Sequence, residues 1–350
     1  MTSFQRDMAA YEGWLRNHCD VVEKDLEEKH RRMHEGAFKS LRATYFRWAR
    51  TIEEVCPDLS NAPRVACVGD VHVENFGTWR DADSRLVWGI NDFDEAAVMP
   101  YAYDLVRLVT SALLALGRQL PAARAAAAVL DGYRSGLSNP TAALLDENAG
   151  WLRPFVNPGE EQNRKFWRDV DALPVADPPA PVRRALRRSL PEGVTGLRFA
   201  SRAAGLGSLG RPRFVAVASW NSGRVVREAK AFVPSAWEWA HDRARRRTWF
   251  IDLANGSFRS PDPLLHVEGG FVFRRLAPDA RKIDLEDIHA HALSTRLLGA
   301  MGADLAAIHA SDPRSTRIAA DLEAREPAWL ARAAEAAGQA TQKDFEAYAS

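Results

Sequence analysis

What most constrains the fold of this chain is a block of strand signals, Leu197 to Leu276, set among long stretches of helical periodicity. Within it, Leu197–Ala203 and Arg213–Trp220 flank a glycine-rich segment, Gly205-Leu206-Gly207-Ser208-Leu209-Gly210. Asn221-Ser222-Gly223 forms a turn into Arg224–Phe232, and strand signal returns at Leu264–Val267 and Phe271–Leu276. Strands joined by turns this short pair antiparallel. The expected fold class is therefore α+β, with a small antiparallel β lobe over 195–276 and a larger helical lobe built from 1–194 and 277–350. A chain of 350 residues is long enough for two such lobes.

Outside the block, apolar positions recur at helical spacing. Met8, Tyr11 and Leu15, then Phe38, Leu41, Tyr45 and Trp48, predict two or three amphipathic helices in residues 1–55. Two strand-like runs follow, Arg64–Val68 and Arg85–Ile90, joined by the turn-rich Arg80–Ser84. Tyr103–Gly136 reads as helical, and the prolines between Asn139 and Gly193 predict irregular connections. A helix starts near Pro234-Ser235, where proline fits a first turn and serine caps it. Helices are expected from about Leu285 to Ala310 and from Thr316 onward.

A formal net charge of +1 supplies no general attraction to nucleic acid or to an acidic membrane. The local basic runs, Arg243–Arg247 and Arg183, Arg184, Arg187 and Arg188, fit solvated helix faces. Cys19, Cys56 and Cys67 lack CxxC spacing and argue for a reducing compartment. No apolar stretch follows the first charges, and Leu105–Leu116 contains Arg107 and is too short to span a bilayer. A cytoplasmic protein is expected, and its oligomeric state is not specified.

The chemistry-bearing residues lie just beyond the two early strands. One loop reads Val68-Gly69-Asp70-Val71-His72-Val73-Glu74-Asn75-Phe76-Gly77, the other Ile90-Asn91-Asp92-Phe93-Asp94-Glu95-Ala96. Side chains at a rigid strand end are aimed with little entropy left to lose. Oxygen ligands held this way suit Mg²⁺. Taken singly, each aspartate also fits a turn residue making local hydrogen bonds. Jointly, Asp70 and Asn75 five positions apart, with Asp92 after a second strand, have the spacing that places a catalytic aspartate and magnesium ligands in protein kinases. Asp94 is a further candidate ligand.

Gly205, Gly207 and Gly210, with Ser208, sit between two strands, and Lys230 lies on the next. Backbone N–H groups freed by glycine can approach phosphate, with the lysine as a point charge. A plain hairpin turn accounts for the glycines alone. The order strand, glycine loop, strand, turn, strand favours a phosphate clamp and does not fit the dinucleotide fold, whose glycines open a helix. His72 fits either a loop hydrogen bond or an Asp-x-His metal motif; the segments such a motif requires downstream are missing, which favours the hydrogen bond. Asp104 opens a helix, where the dipole stabilises a carboxylate, and it also fits a support for the Asp70 loop.

These segments resemble aminoglycoside and choline kinases, whose catalytic loop reads HGDxHxxN and whose metal site reads IDFD or IDWE before a P-x-x-x-D-L segment. They resemble more closely an uncharacterised bacterial family, domain of unknown function 2252, over about residues 38–312. The further motifs are Asp104-Leu105-Val106-Arg107-Leu108-Val109-Thr110-Ser111, Lys230 through Pro234-Ser235 to Glu238, Phe273-Arg274-Arg275-Leu276, and Leu305-Ala306-Ala307-Ile308-His309-Ala310. Val68 stands where most kinases have His or Arg. The catalytic loop precedes the glycine loop, so the resemblance implies a circularly permuted, bilobal kinase-like fold.

It also implies an ATP- and Mg²⁺-dependent phosphotransferase whose partners are a nucleotide and a hydroxyl acceptor, small molecule or protein. Asp70 would orient or deprotonate the acceptor, Asn75 and Asp92 would hold the metal with Asp94, and the glycine loop and Lys230 would position phosphates. Glu238 would hold Lys230, and Arg274-Arg275-Leu276 would lie near the adenine. Adenylyl transfer fits the same parts. Two other classes stay open: a nucleotide-binding module without turnover, and a phosphohydrolase centred on Asp70 and His72.

Overall fold

A computed structural model describes residues 2–156, 159–242, 247–282 and 295–349. Most of the basic run Arg243–Arg247, and the start of the helix expected from Leu285, lie outside the described residues.

The first 55 residues form four helices rather than two or three: α1 (Ser3–Arg16), α2 (Glu23–Met33), α3 (Ala37–Ala43) and α4 (Tyr45–Val55). Thr2 and Gln5 cap α1 reciprocally. Thr44 leaves helical geometry, at φ −126° and ψ 42°, and so divides one apolar stripe into α3 and α4. The early strands are β1 (Arg64–Cys67), β2 (Phe76–Arg80), β3 (Leu86–Ile90) and β4 (Ala97–Pro100). β1 pairs with β4 in its own sheet, so the two expected runs are not partners. Next come α5 (Tyr101–Leu116), α6 (Ala122–Ser138) and the short β5 (Ala143–Leu144), which completes a three-stranded sheet in the order β2-β3-β5.

The proline-rich stretch holds α7 (Arg153–Val156), α8 (Glu160–Asp171) and α9 (Ala180–Arg188). Pro154 and Pro181 sit in first turns, where no N–H partner is lost, so they start helices rather than break them.

The β block is an antiparallel five-stranded sheet. Its members are β6 (Thr195–Ser201), β7 (Arg213–Trp220), β8 (Gly223–Ala231), β9 (His266–Glu268) and β10 (Phe271–Leu276), in the order β6-β7-β8-β10-β9. Asn221 and Ser222, both at positive φ, make the tight β7–β8 turn. Side chains alternate between faces. Ala216, Ala218, Ala229 and Phe273 pack against Val182 and Leu186 of α9. The opposite face carries Arg213 across from Lys230, and Glu228 across from Arg274. Between β8 and β9 lie α10 (Ala236–Ala240), capped by Ser235 as expected, and α11 (Phe250–Ala254).

After β10 the chain runs alongside β2: Thr78 donates its N–H to the Arg281 carbonyl at 2.7 Å. α12 (Thr295–Ala310) packs against α6 so closely that a Cβ on Gly132 would collide with the Gly299 carbonyl. α13 (Ile318–Ala324) and α14 (Trp329–Ala349) replace one expected helix, because Pro327 disfavours helical backbone before it and Arg325 is already extended. Arg47 of α4 binds Asp344 of α14 at 2.7 Å, so the two ends of the chain meet in the helical layer. None of the described helices is long and apolar enough to cross a membrane.

Candidate functional site

The Asp70 loop hangs from α5 and α12. Asp104, fully buried, accepts the N–H groups of Val68 at 2.7 Å and Gly69 at 2.9 Å. His309 lies 3.2 Å from the same carboxylate, and its other ring nitrogen is 2.7 Å from the Tyr133 hydroxyl. The hydrogen bonds of Asp104 run to the loop and to His309, so its work is support of the loop. The Cys67 sulfur joins these two in a cluster whose donor atoms lie within 4.8 Å of one another. Burial pushes that thiol well above its ordinary pKa and it donates to the Met99 carbonyl, so hydrogen bonds account for all three groups.

Asp70 is held by Arg107, a residue of the Asp104–Ser111 motif for which the sequence suggested no role. Its Oδ1 accepts Nε at 3.0 Å and Nη2 at 2.5 Å from this wholly buried guanidinium, which lies 4.9 Å from the Tyr45 ring centre. The Asn75 amide donates to the backbone carbonyls of Asp70 and Asp92, both at 3.2 Å, which turns its Oδ1 toward Lys282 at 3.3 Å. Asp92 meets Lys230 at 3.1 Å and Lys282 at 3.5 Å. Burial raises the Asp92 pKa, but Lys230, Lys282, Arg274 and Arg213 outweigh it and hold the carboxyl well below its ordinary value. Asp94 meets Lys230 at 2.6 Å and Arg211 at 3.1 Å.

The acids on Lys230 are therefore Asp92 and Asp94, which corrects the expectation for Glu238. Glu95 pins the start of α10 by accepting Ser235 Oγ at its carbonyl and Ala236 N–H at its carboxylate, 2.9 and 2.6 Å away. Glu238 belongs to that five-residue helix, while the aspartates take the ammonium. Burial raises the pKa of Glu228, two residues before Lys230, yet Arg274, Arg213 and Arg202 draw it well below the ordinary value. His72 also departs from expectation. It is buried, its Nδ1 has no partner among the described residues, and burial with Arg42, Lys282 and Arg107 nearby lowers its pKa well below 6.5.

The glycine segment is a single tight turn over Leu206–Ser208, with Gly205 and Gly210 at φ 74° and 93°. Arg213 Nη2 reaches Ser208 Oγ at 2.5 Å from below. From above, α2 grips the loop: Lys29 lies 3.3 Å from the Gly207 carbonyl and Val22 N–H binds the Gly210 carbonyl at 2.9 Å. A Cβ on Gly207 would sit 3.4 Å from Asp70 Oδ2, so the loop rests directly over that aspartate.

Residues 21–140 match the model of a family described as an uncharacterised protein conserved in bacteria, domain of unknown function 2252. The matched stretch contains Asp70, Asn75, Asp92, Asp94, Asp104 and Arg107, and the glycine loop and Lys230 lie beyond it. No curated protein and no solved structure matches the chain.

Two spaces meet at these residues. A cavity of about 710 Å³ lies between the charged face of the five-stranded sheet and β2–β3. Arg213, Arg274, Arg275 and Lys282 make it basic, and Ile90, Phe93, Leu265 and Leu276 supply apolar wall. A pocket of about 60 Å³ lies toward Asp70, His72 and Gly207. Asp92 and Lys282 line both. For a hard cation the donor set fits: Asn75 Oδ1 is aimed by its amide bonds, Asp92 is held ionised, and Asp94 Oδ1 is buried without a partner among the described residues.

Proposed function

We propose that this chain is an ATP- and Mg²⁺-dependent phosphotransferase with a bilobal, circularly permuted kinase-like architecture, acting on a hydroxyl of a small molecule or protein. One observation carries the reading. Asp70, Asn75 and Asp92 from the early loops converge with Lys230 and the glycine loop, more than a hundred residues later in the chain, at the junction of a basic cavity and a small pocket. The apolar walls suit a base and the cavity's arginines suit its phosphates, while Lys230, buried behind the lining, fixes Asp92 and Asp94. Asn75, Asp92 and Asp94 would hold Mg²⁺, which would neutralise phosphate charge.

Asp70, fixed by Arg107, would orient the acceptor hydroxyl and take its proton, a contribution of about 10²- to 10⁴-fold for such a base. The acceptor oxygen bonds to the γ-phosphorus as the bond to the bridging oxygen breaks, leaving the electron pair on the diphosphate. A hydrolase centred on Asp70 and His72 has less support, because Arg107 occupies one Asp70 oxygen and cations surround His72.

The test is calorimetric titration of Mg²⁺-ATP into the wild type, Asp92→Ala and Lys230→Ala. Binding by the wild type that weakens at least about tenfold in both variants is expected, since each loses a charge-assisted contact. A wild type that binds no nucleotide, or variants that bind it equally well, refutes the reading.

A further inference from the structure

We infer that Lys282 binds the terminal phosphate of a nucleoside triphosphate, holding the transferring group where the two spaces meet. The inference rests on the kinase-like reading and adds a residue that lies outside every motif of the sequence.

Lys282 is delivered by backbone, not by chance reach of a long side chain. The segment after β10 docks along β2, where Thr78 N–H binds the Arg281 carbonyl and Thr78 Oγ1 binds the Asp279 carbonyl at 2.5 Å. Gly77 bridges Lys282 directly, and a Cβ there would collide with the Arg281 carbonyl. The close approach sets the ammonium beside Asn75 Oδ1 and Asp92 Oδ2.

Its contacts there, 3.3 and 3.5 Å, are at the long limit of hydrogen bonding. Lys230, by contrast, is held at 2.6 Å by Asp94. Arg213 and Arg274 are tied to Glu228 at 3.2 and 2.6 Å. Arg42, which also lines both spaces, is ion-paired with Glu74. Lys282 is thus the loosely held cation at the junction among the described residues, and its three donors can turn to an incoming phosphate. During transfer the phosphorus gains the acceptor oxygen and loses the bridging oxygen, and the acceptor proton passes to Asp70. Lys282 stays beside the moving group throughout, offsetting its charge without reorganisation.

Binding of ADP and of an imido-bridged, non-hydrolysable ATP analogue by the wild type, Lys282→Ala and Lys282→Arg, each by calorimetry, tests this without turnover. The wild type should prefer the triphosphate. Lys282→Ala should weaken the triphosphate about tenfold or more and ADP less than about twofold, as expected for one charge-assisted contact. Lys282→Arg should retain most of the preference. An unchanged triphosphate-to-diphosphate ratio in Lys282→Ala, or equal weakening of both ligands, overturns the role of Lys282 while the kinase-like reading stands. Absence of any nucleotide binding by the wild type overturns both.

Discussion

Replacing Asp104 by asparagine isolates the support beneath the Asp70 loop, because shape is kept while the charge and the acceptor count change. The native carboxylate serves Val68 N–H, Gly69 N–H and the His309 ring, one oxygen taking the first and third. An asparagine amide has a single acceptor oxygen, so its NH₂ must face at least one of those N–H groups. A buried donor left without an acceptor costs about 1–3 kcal/mol. The surviving bonds lose their charge assistance, about 1 kcal/mol each. The sum is a loss of about 3–5 kcal/mol, a large part of the roughly 5–15 kcal/mol that holds a typical protein folded. Urea denaturation reads it as a lower midpoint at unchanged slope. His309→Gln disturbs both the 3.2 Å contact to Asp104 and the 2.7 Å contact to the Tyr133 hydroxyl and should cost about 1–3 kcal/mol while leaving both backbone N–H groups of the loop bonded. Asp104→Asn within about 1 kcal/mol of the wild type would refute the idea that this carboxylate carries the loop.

Two further outcomes follow from burial and close packing. Glu228 has its folded pKa drawn below the ordinary 4.5, so its stabilisation is fully present above that pH and is lost as pH falls through the folded value. Glu228→Gln should therefore cost about 3–5 kcal/mol at neutral pH, and the gap in urea midpoint from wild type should narrow on acidification. Gly132→Ala should lower stability by about 1–3 kcal/mol by forcing α6 off α12. Gly338→Ala on α14, with open space around its Cβ, should instead raise it by about 0.5–1 kcal/mol, and paired thermal melts distinguish the two.

What the sequence made legible is local. The β7–β8 hairpin follows from Asn221-Ser222-Gly223 between alternating strands, and the spacing of Asp70, Asn75 and Asp92 could be read because those residues lie within two neighbouring loops. Arg107 stood in the Asp104–Ser111 motif, but its role was not legible, since its carboxylate partner lies 37 residues away. Lys282 lies in no motif, and its placement depends on backbone pairing with a strand two hundred residues earlier. β2 and β4 were missed because they are short and directly adjoin the motif loops. Glu238 was misassigned because spacing alone cannot show that Glu95 ties down the start of its helix.

The way the Asp70 loop is braced also sets the order in which the protein can become competent. Synthesis delivers Asp70, Asn75, Asp92 and Asp104 in the first third of the chain, yet His309 closes the Asp104 bridge and Asp312 accepts the Ala66 N–H of β1 at 2.7 Å. Asp304, from the same late helix, accepts the Ile90 N–H at 2.7 Å just before Asp92. A nascent chain halted before α12 holds every acidic group of the site but lacks the late contacts that His309, Asp312 and Asp304 make to Asp104, β1 and β3. The five-stranded sheet, whose strand pairs all lie within residues 195–276, has no such dependence and can assemble first. The bracing of both loops is thus complete only once α12 has emerged.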